Sequence, residues 1–243
     1  MNIKMLSLYK IKHSAYGWNA NRILFLALFV FVSLSSMLFS SCSSDEKITQ
    51  GDANESLVSE AKNYLNGEIV FNTKATMNGV DKTYYQETGG CPAVFKFNWS
   101  KDDDQTFDIS ILNFTVGNMG MIINYKCTCK TMVLNSWEQK EYTGDGWIKF
   151  YGTDGACWGQ DEDGSDFSGD GSAEGSMVKG SSVQGYYNVK NHQIQFIINY
   201  NMMNVRSECP IQSIDKSLLA NYDKLKADYE VALKKAKEEA GNK

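Results

Sequence analysis

From Glu68 to about Arg206 the chain runs in short alternations of apolar and polar residues, broken by turn residues. That pattern restricts it to antiparallel β-structure. The clearest run is His192 to Asn201. Ile194, Phe196, Ile198 and Tyr200 point one way; Gln193, Gln195, Asn199 and Asn201 point the other, with Ile197 among the polar set. Gly185 to Val189 pairs with it across Lys190-Asn191. Val94 to Trp99 and Phe107 to Ile111 partly alternate, and the polar Asp102 to Gln105 joins them as a hairpin. Asn78-Gly79, Gly89-Gly90 and Gly144-Asp145-Gly146 mark further turns. The count comes to about nine short strands, at the spacing of a sandwich or barrel. Twelve Phe, thirteen Tyr and five Trp supply a core.

Helices flank this region. Asn54 to Leu65 places Leu57, Val58, Ala61, Tyr64 and Leu65 on one helical face, and Asn66-Gly67 ends it. From about Ser213 to Ala240 the chain lacks Gly and Pro. Leu218, Tyr222, Leu225, Tyr229, Ala232 and Ala236 form a heptad-like stripe, widened by Leu219 and Leu233. Fewer than three heptads favour a helix packed on the β-domain over a free coiled coil. The expected fold is mainly β: an antiparallel barrel or sandwich, with a short N-terminal helix and a long C-terminal one. The β-domain with its first helix spans 54–212 and the C-terminal amphipathic helix 213–243.

The N-terminus is a targeting segment. Lys4, Lys10, Lys12 and Arg22 precede an apolar run, Ile23 to Leu34, of twelve residues. A spanning helix needs about twenty, so the run fits a secretory signal. It ends in Leu38-Phe39-Ser40-Ser41-Cys42, which resembles a bacterial lipobox, with Phe39 where that motif usually has an aliphatic residue. The resemblance implies cleavage after residue 41 and lipid attachment at Cys42. Residues 42–53 would then be a lipidated tether. Ser43-Ser44-Asp45-Glu46-Lys47 is similar to the short acidic export signal of Bacteroidota surface lipoproteins, which implies an outer-membrane, surface-exposed protein.

Charge and histidine content exclude several functions. Four of the 24 basic residues and none of the 29 acidic ones precede Cys42, leaving 20 against 29, a net charge of −9. Such a surface repels nucleic-acid phosphates. Of the two histidines, His13 lies in the signal and His192 in a turn. A nucleophile–histidine mechanism needs a base held in a cleft by a third group, and a multi-histidine zinc site needs more histidines than one. A glycosidase working with two carboxylates remains open. Asp102, Asp103, Asp104, Glu138, Glu141, Asp154 and Asp161 are its candidates.

With Cys42 lipidated, Cys91, Cys127, Cys129, Cys157 and Cys209 remain, an odd set that allows at most two disulfides in an exported protein. Cys127 and Cys129 flank Thr128 in a strand and share a face, so each is placed to pair elsewhere, or both to bind a metal. Residues 152–177 carry seven acids and no base. Asp161, Asp163, Asp166, Ser168, Asp170 and Glu174 are candidate Ca²⁺ ligands there. Asp166 to Glu174 resembles the first nine positions of an EF-hand loop, but Met177 occupies the twelfth place, which needs a bidentate Glu. The alternatives are a looser Ca²⁺ site and a solvated loop.

The helix–barrel–helix order is broadly similar to a calycin, a lipocalin-like fold, without the Gly-x-Trp signature. The chain as a whole resembles an uncharacterised lipoprotein family of gut Bacteroidota. The functional expectation is a non-catalytic binding module at the envelope surface, taking a small apolar ligand, a glycan or a protein. Trp137, Trp147, Trp158 and Tyr186 are its candidate contact aromatics. The alternatives are a carboxylate-pair glycan-processing enzyme and a structural subunit of a surface complex.

Overall fold

A computed structural model describes residues 51–115, 121–161 and 177–241. Helix α1 (Glu55–Tyr64) opens the fold. Strands β1 (Gly67–Met77) and β2 (Val80–Asp81) follow, then the one-turn helix α2 (Tyr85–Thr88). Next come β3 (Cys91–Trp99), β4 (Thr106–Thr115) and β5 (Met121–Met132). The one-turn helix α3 (Glu138–Glu141) leads to β6 (Trp147–Asp161), β7 (Val178–Asn188), β8 (Gln193–Asn199) and β9 (Val205–Ser213). A 3₁₀ segment (Lys216–Asn221) continues into α4 (Tyr222–Gly241).

Neighbouring strands pair antiparallel in chain order, and β1 also pairs with β9. That last pairing, Lys74↔Glu208 through Met77↔Val205, closes a barrel of eight strands, with β2 as a short extension of β1. The barrel, not the sandwich, is the architecture. Each hairpin read from the sequence is present, including Phe97↔Ile109 and Gly185↔Phe196.

The interior is filled with side chains. Tyr125, Tyr187, Tyr200, Phe71, Phe95, Phe97, Phe107, Phe150 and Phe196 are fully buried. Their rings meet edge to face, as for Phe95 and Phe196 at 5.0 Å and Phe107 and Phe150 at 5.4 Å. Each such burial contributes about 1.5–3 kcal/mol. An eight-stranded barrel is just wide enough for its own side chains or for one small ligand, and here aromatic rings take the space.

Helix α1 caps one end. Asn54 accepts from the Ser56 N–H as its N-cap. Val58, Ala61 and Leu65 are buried against the barrel, as the helical face predicts. Tyr64 stacks on His192 at 3.6 Å, and the His192 Nδ1 lies 2.9 Å from the Tyr187 hydroxyl. The turn histidine is therefore a packing residue between cap and barrel. The chain joins the fold slightly before Asn54. Asp52 bridges Met132, and the Val133 N–H donates to the Gly51 carbonyl. Helix α4 turns its stripe inward: Tyr229, Leu233 and Ala236 are buried, and the helix packs on α2 and β3. Its heptad face is spent on the barrel, while Leu219 stays exposed.

Candidate functional site

The outer wall of β6–β9 carries a groove of about 500 Å³, a usual size for a small-molecule site. Strand register builds it. Residues that alternate with the core point outward, and neighbours across the ladder line up. Tyr151 stands beside Gln184 and Gln184 beside Ile197; Tyr186 stands beside Gln195; Ser182, Asn199 and Arg206 form a third row. Tyr151 and Ile197 are each 39% exposed. One wall is Glu141 and Tyr142, from α3 and the residue after it.

A small second core holds that wall. Leu134, Tyr142 and Tyr186 pack together against Trp147. Tyr142 stacks on Tyr186 at 3.9 Å, and burial pushes the Tyr142 hydroxyl up to about 12. Beneath them Lys149 meets Glu138 Oε1 at 2.6 Å, with side chains only 11% and 12% exposed. The Tyr186 hydroxyl donates to the same oxygen at 2.9 Å, and Gln184 Nε2 donates to Tyr186 at 2.7 Å. The Asn135 N–H donates to Glu138 Oε2. Glu138 thus fixes a lysine, a tyrosine and, through it, a groove amide. Burial, then the Glu138 carboxylate, holds the Tyr186 proton on.

The sequence candidates divide. Tyr186 and Trp147 come together with Glu138 and Glu141. Trp137 is 75% exposed, under Lys140 at 4.1 Å, outside the groove. Trp158 is on another part of the wall, with Lys126 at 5.7 Å. Asp102, Asp103 and Asp104 sit in the β3–β4 turn, where Asp104 pairs with Lys62. Asp154 occupies a bend of β6 with φ +59°. Glu141 is the one carboxylate among the described groove residues. Tyr142, Tyr151, Gln184 and Arg206 were not singled out by sequence; the Trp147–Lys149–Tyr151 alternation is the signal that points to Tyr151.

Cys91, Cys127, Cys129, Cys157 and Cys209 are all buried, and all are free thiols. They are spread over β3, β5, β6 and β9, and the two on β5 are neighbours along one strand, so no bridge joins them. Burial raises Cys91 and Cys157 to about 12. Cys42 and the loop candidates Asp163, Asp166, Ser168, Asp170 and Glu174 lie outside the described residues; Asp161 is the last residue of β6. Among the described residues no group of three or more His, Cys, Asp or Glu is placed to hold a metal, and no helix is long and apolar enough to cross a membrane.

A family described as a domain of unknown function (DUF4903) matches residues 42–241. No curated protein and no solved structure matches the chain.

Proposed function

From a chain that belongs to the DUF4903 family, we propose a non-catalytic glycan-binding module, held at the bacterial envelope surface by lipid on Cys42. The observation that carries the reading is the Tyr151–Gln184–Ile197 row with the Gln195 and Asn199 amides beside it. A sugar ring has an apolar C–H face and a rim of hydroxyls. An exposed tyrosine gives the first a surface. Amides, each with donor and acceptor, match the second. The locked Glu138–Lys149–Tyr186 set keeps the wall rigid, which lowers the ordering cost of binding. Two observations favour this over the alternatives. The barrel interior is occupied by its own rings, which disfavours an internal apolar ligand. Glu138 is engaged by Lys149, Tyr186 and the Asn135 N–H, which leaves Glu141 without a second carboxylate among the described groove residues for glycosidase work.

The test is calorimetry of the full chain in detergent against a panel of neutral oligosaccharides. At least one should bind, with affinity about tenfold or more weaker in Tyr151→Ala and in Gln184→Ala. No binding across the panel, or binding unchanged in both variants, overturns the reading. The anchor has its own test. Cys42→Ser should move the protein from the membrane to the soluble fraction and remove label from a fed fatty-acid analogue; a variant that stays membrane-bound and labelled overturns it. Support comes from the family match, which begins at Cys42.

A further inference from the structure

Cys127 and Cys129 sit where the barrel wall is irregular on both sides of β6. Strand β5 pairs with β6 up to Lys126↔Ala156 and again from Lys130↔Tyr151, so the intervening Cys-Thr-Cys has no regular partner there. Strand β6 shifts register against β7 at Gly152 and Gly155. Bulges that break a ladder recur where a wall re-aims side chains for a site. The glycines make room for sulfur. A Cβ on Gly152 would lie 2.6 Å from the Cys127 Sγ, and one on Gly155 would lie 3.0 Å from both the Cys127 Cβ and the Ser181 Oγ.

The two thiols are both buried. The Cys127 Sγ lies 3.5 Å from the Thr128 carbonyl and 3.6 Å from the Thr153 carbonyl, and the Cys129 Sγ lies 3.9 Å from the Cys127 carbonyl. One hydroxyl here is left over: Ser181, facing Cys127 across Gly155, has a buried oxygen with no hydrogen-bond partner. An unsatisfied buried hydroxyl beside a thiol pair has bonding capacity that a water or an ion can fill. A way in exists. Cys127 lines a depression of about 560 Å³ on the outer wall, with Lys96, Asp108, Lys126, Thr128 and Asp154 around it.

Spacing decides the ligand. Two strand steps of about 3.4 Å put the Cα atoms about 6.8 Å apart. That is the far limit for a disulfide, whose sulfurs must come within about 2 Å. An ion between the sulfurs, with bonds like the ~2.3 Å of zinc–thiolate, lets them stand about 4.6 Å apart. No third His, Cys, Asp or Glu joins the pair among the described residues, so an ion that needs four ligands is disfavoured. Thiolates select soft ions, Cu(I) among them.

We propose that Cys127 and Cys129 form a two-thiolate site for a soft monovalent ion of the Cu(I) type, entered from the depression on the outer wall. Binding forms two metal–sulfur bonds and releases the two thiol protons to water; no electron changes hands, so the ion enters and stays as Cu(I).

The experiment is a competition titration of the full chain, reduced and in detergent, with Cu(I) presented by a coloured chelator. One equivalent should transfer. Cys127→Ser and Cys129→Ser should each lose about a hundredfold in affinity or more, while Cys157→Ser keeps it. Thermal melts of each variant without metal separate lost ligation from lost folding, and X-ray absorption on the loaded protein should show two sulfur neighbours. No transfer, equal loss in Cys157→Ser, or a nitrogen and oxygen shell overturns the site. So does a thiol count showing that Cys127 and Cys129 bridge each other in air.

Discussion

Glu138→Ala is expected to cost the fold about 3–5 kcal/mol, because it takes the carboxylate out of a buried ion pair. The Lys149 ammonium is almost enclosed, and its charge is answered by Glu138 Oε1 at 2.6 Å. Without the carboxylate, the buried Lys149 loses its Oε1 partner, and the Tyr186 hydroxyl and the Asn135 N–H lose their acceptors. At about 2–4 °C per kcal/mol for a chain of this size, the melting temperature should fall by about 10 °C. The paired change Glu138→Leu with Lys149→Met should recover most of it, since well-packed apolar residues replace a buried ion pair at little cost. A single variant that melts like the parent would show that the pair is screened by solvent. A paired variant as unstable as the single one would show that geometry, not charge, is what Glu138 supplies.

Gly185→Ala should be comparably damaging for the opposite reason, excess volume. Gly185 lies on the inner face of β7, between two rings. A Cβ there would stand 2.2 Å from the Phe150 Cζ and 2.6 Å from the Phe196 Cβ. Both rings are fully buried, and Phe150 is also wedged against Phe107 at 5.4 Å. Neither can retreat without displacing the next. Overpacking typically costs about 1–3 kcal/mol, occasionally more, and this contact lies at the upper end. Gly185→Val should yield no soluble barrel. Phe150→Leu added to Gly185→Ala should restore part of the melting temperature, because it removes the atom struck first. Denaturant melts decide it: a Gly185→Ala midpoint equal to the parent's rejects this packing of the interior.

Much of this molecule can be read from local pattern. The alternation in His192 to Asn201 reports a half-buried strand because successive side chains must face opposite sides. The α4 stripe reports a packed helix because one face carries the apolar residues. What closes the barrel is not local: Lys74 meets Glu208 across almost the whole β-domain, and nothing near either residue announces the other. The groove has the same character. Glu138 and Tyr186 are visible as a carboxylate and an aromatic. Their hydrogen bond depends on the β6–β7 register and on the path of the chain between β5 and β6. Tyr151 and Gln184 are ordinary outward residues until register sets them side by side. His192 shows the converse. Its turn is legible, but its stack on Tyr64 joins the N-terminal helix to the β7–β8 turn.

The β1–β9 seam also sets an order of events. Strand β1 emerges first, yet its outer hydrogen-bonding groups wait for Val205–Ser213, the last strand to arrive. Pairings between distant segments form slowly, and until this one forms the nascent sheet has two open edges that invite other chains. A chain cut or stalled before Val205 is therefore an aggregation hazard, not a smaller working barrel. The proposed export as an unfolded thread suits such a topology, since no stable barrel can close before the C-terminal strand arrives.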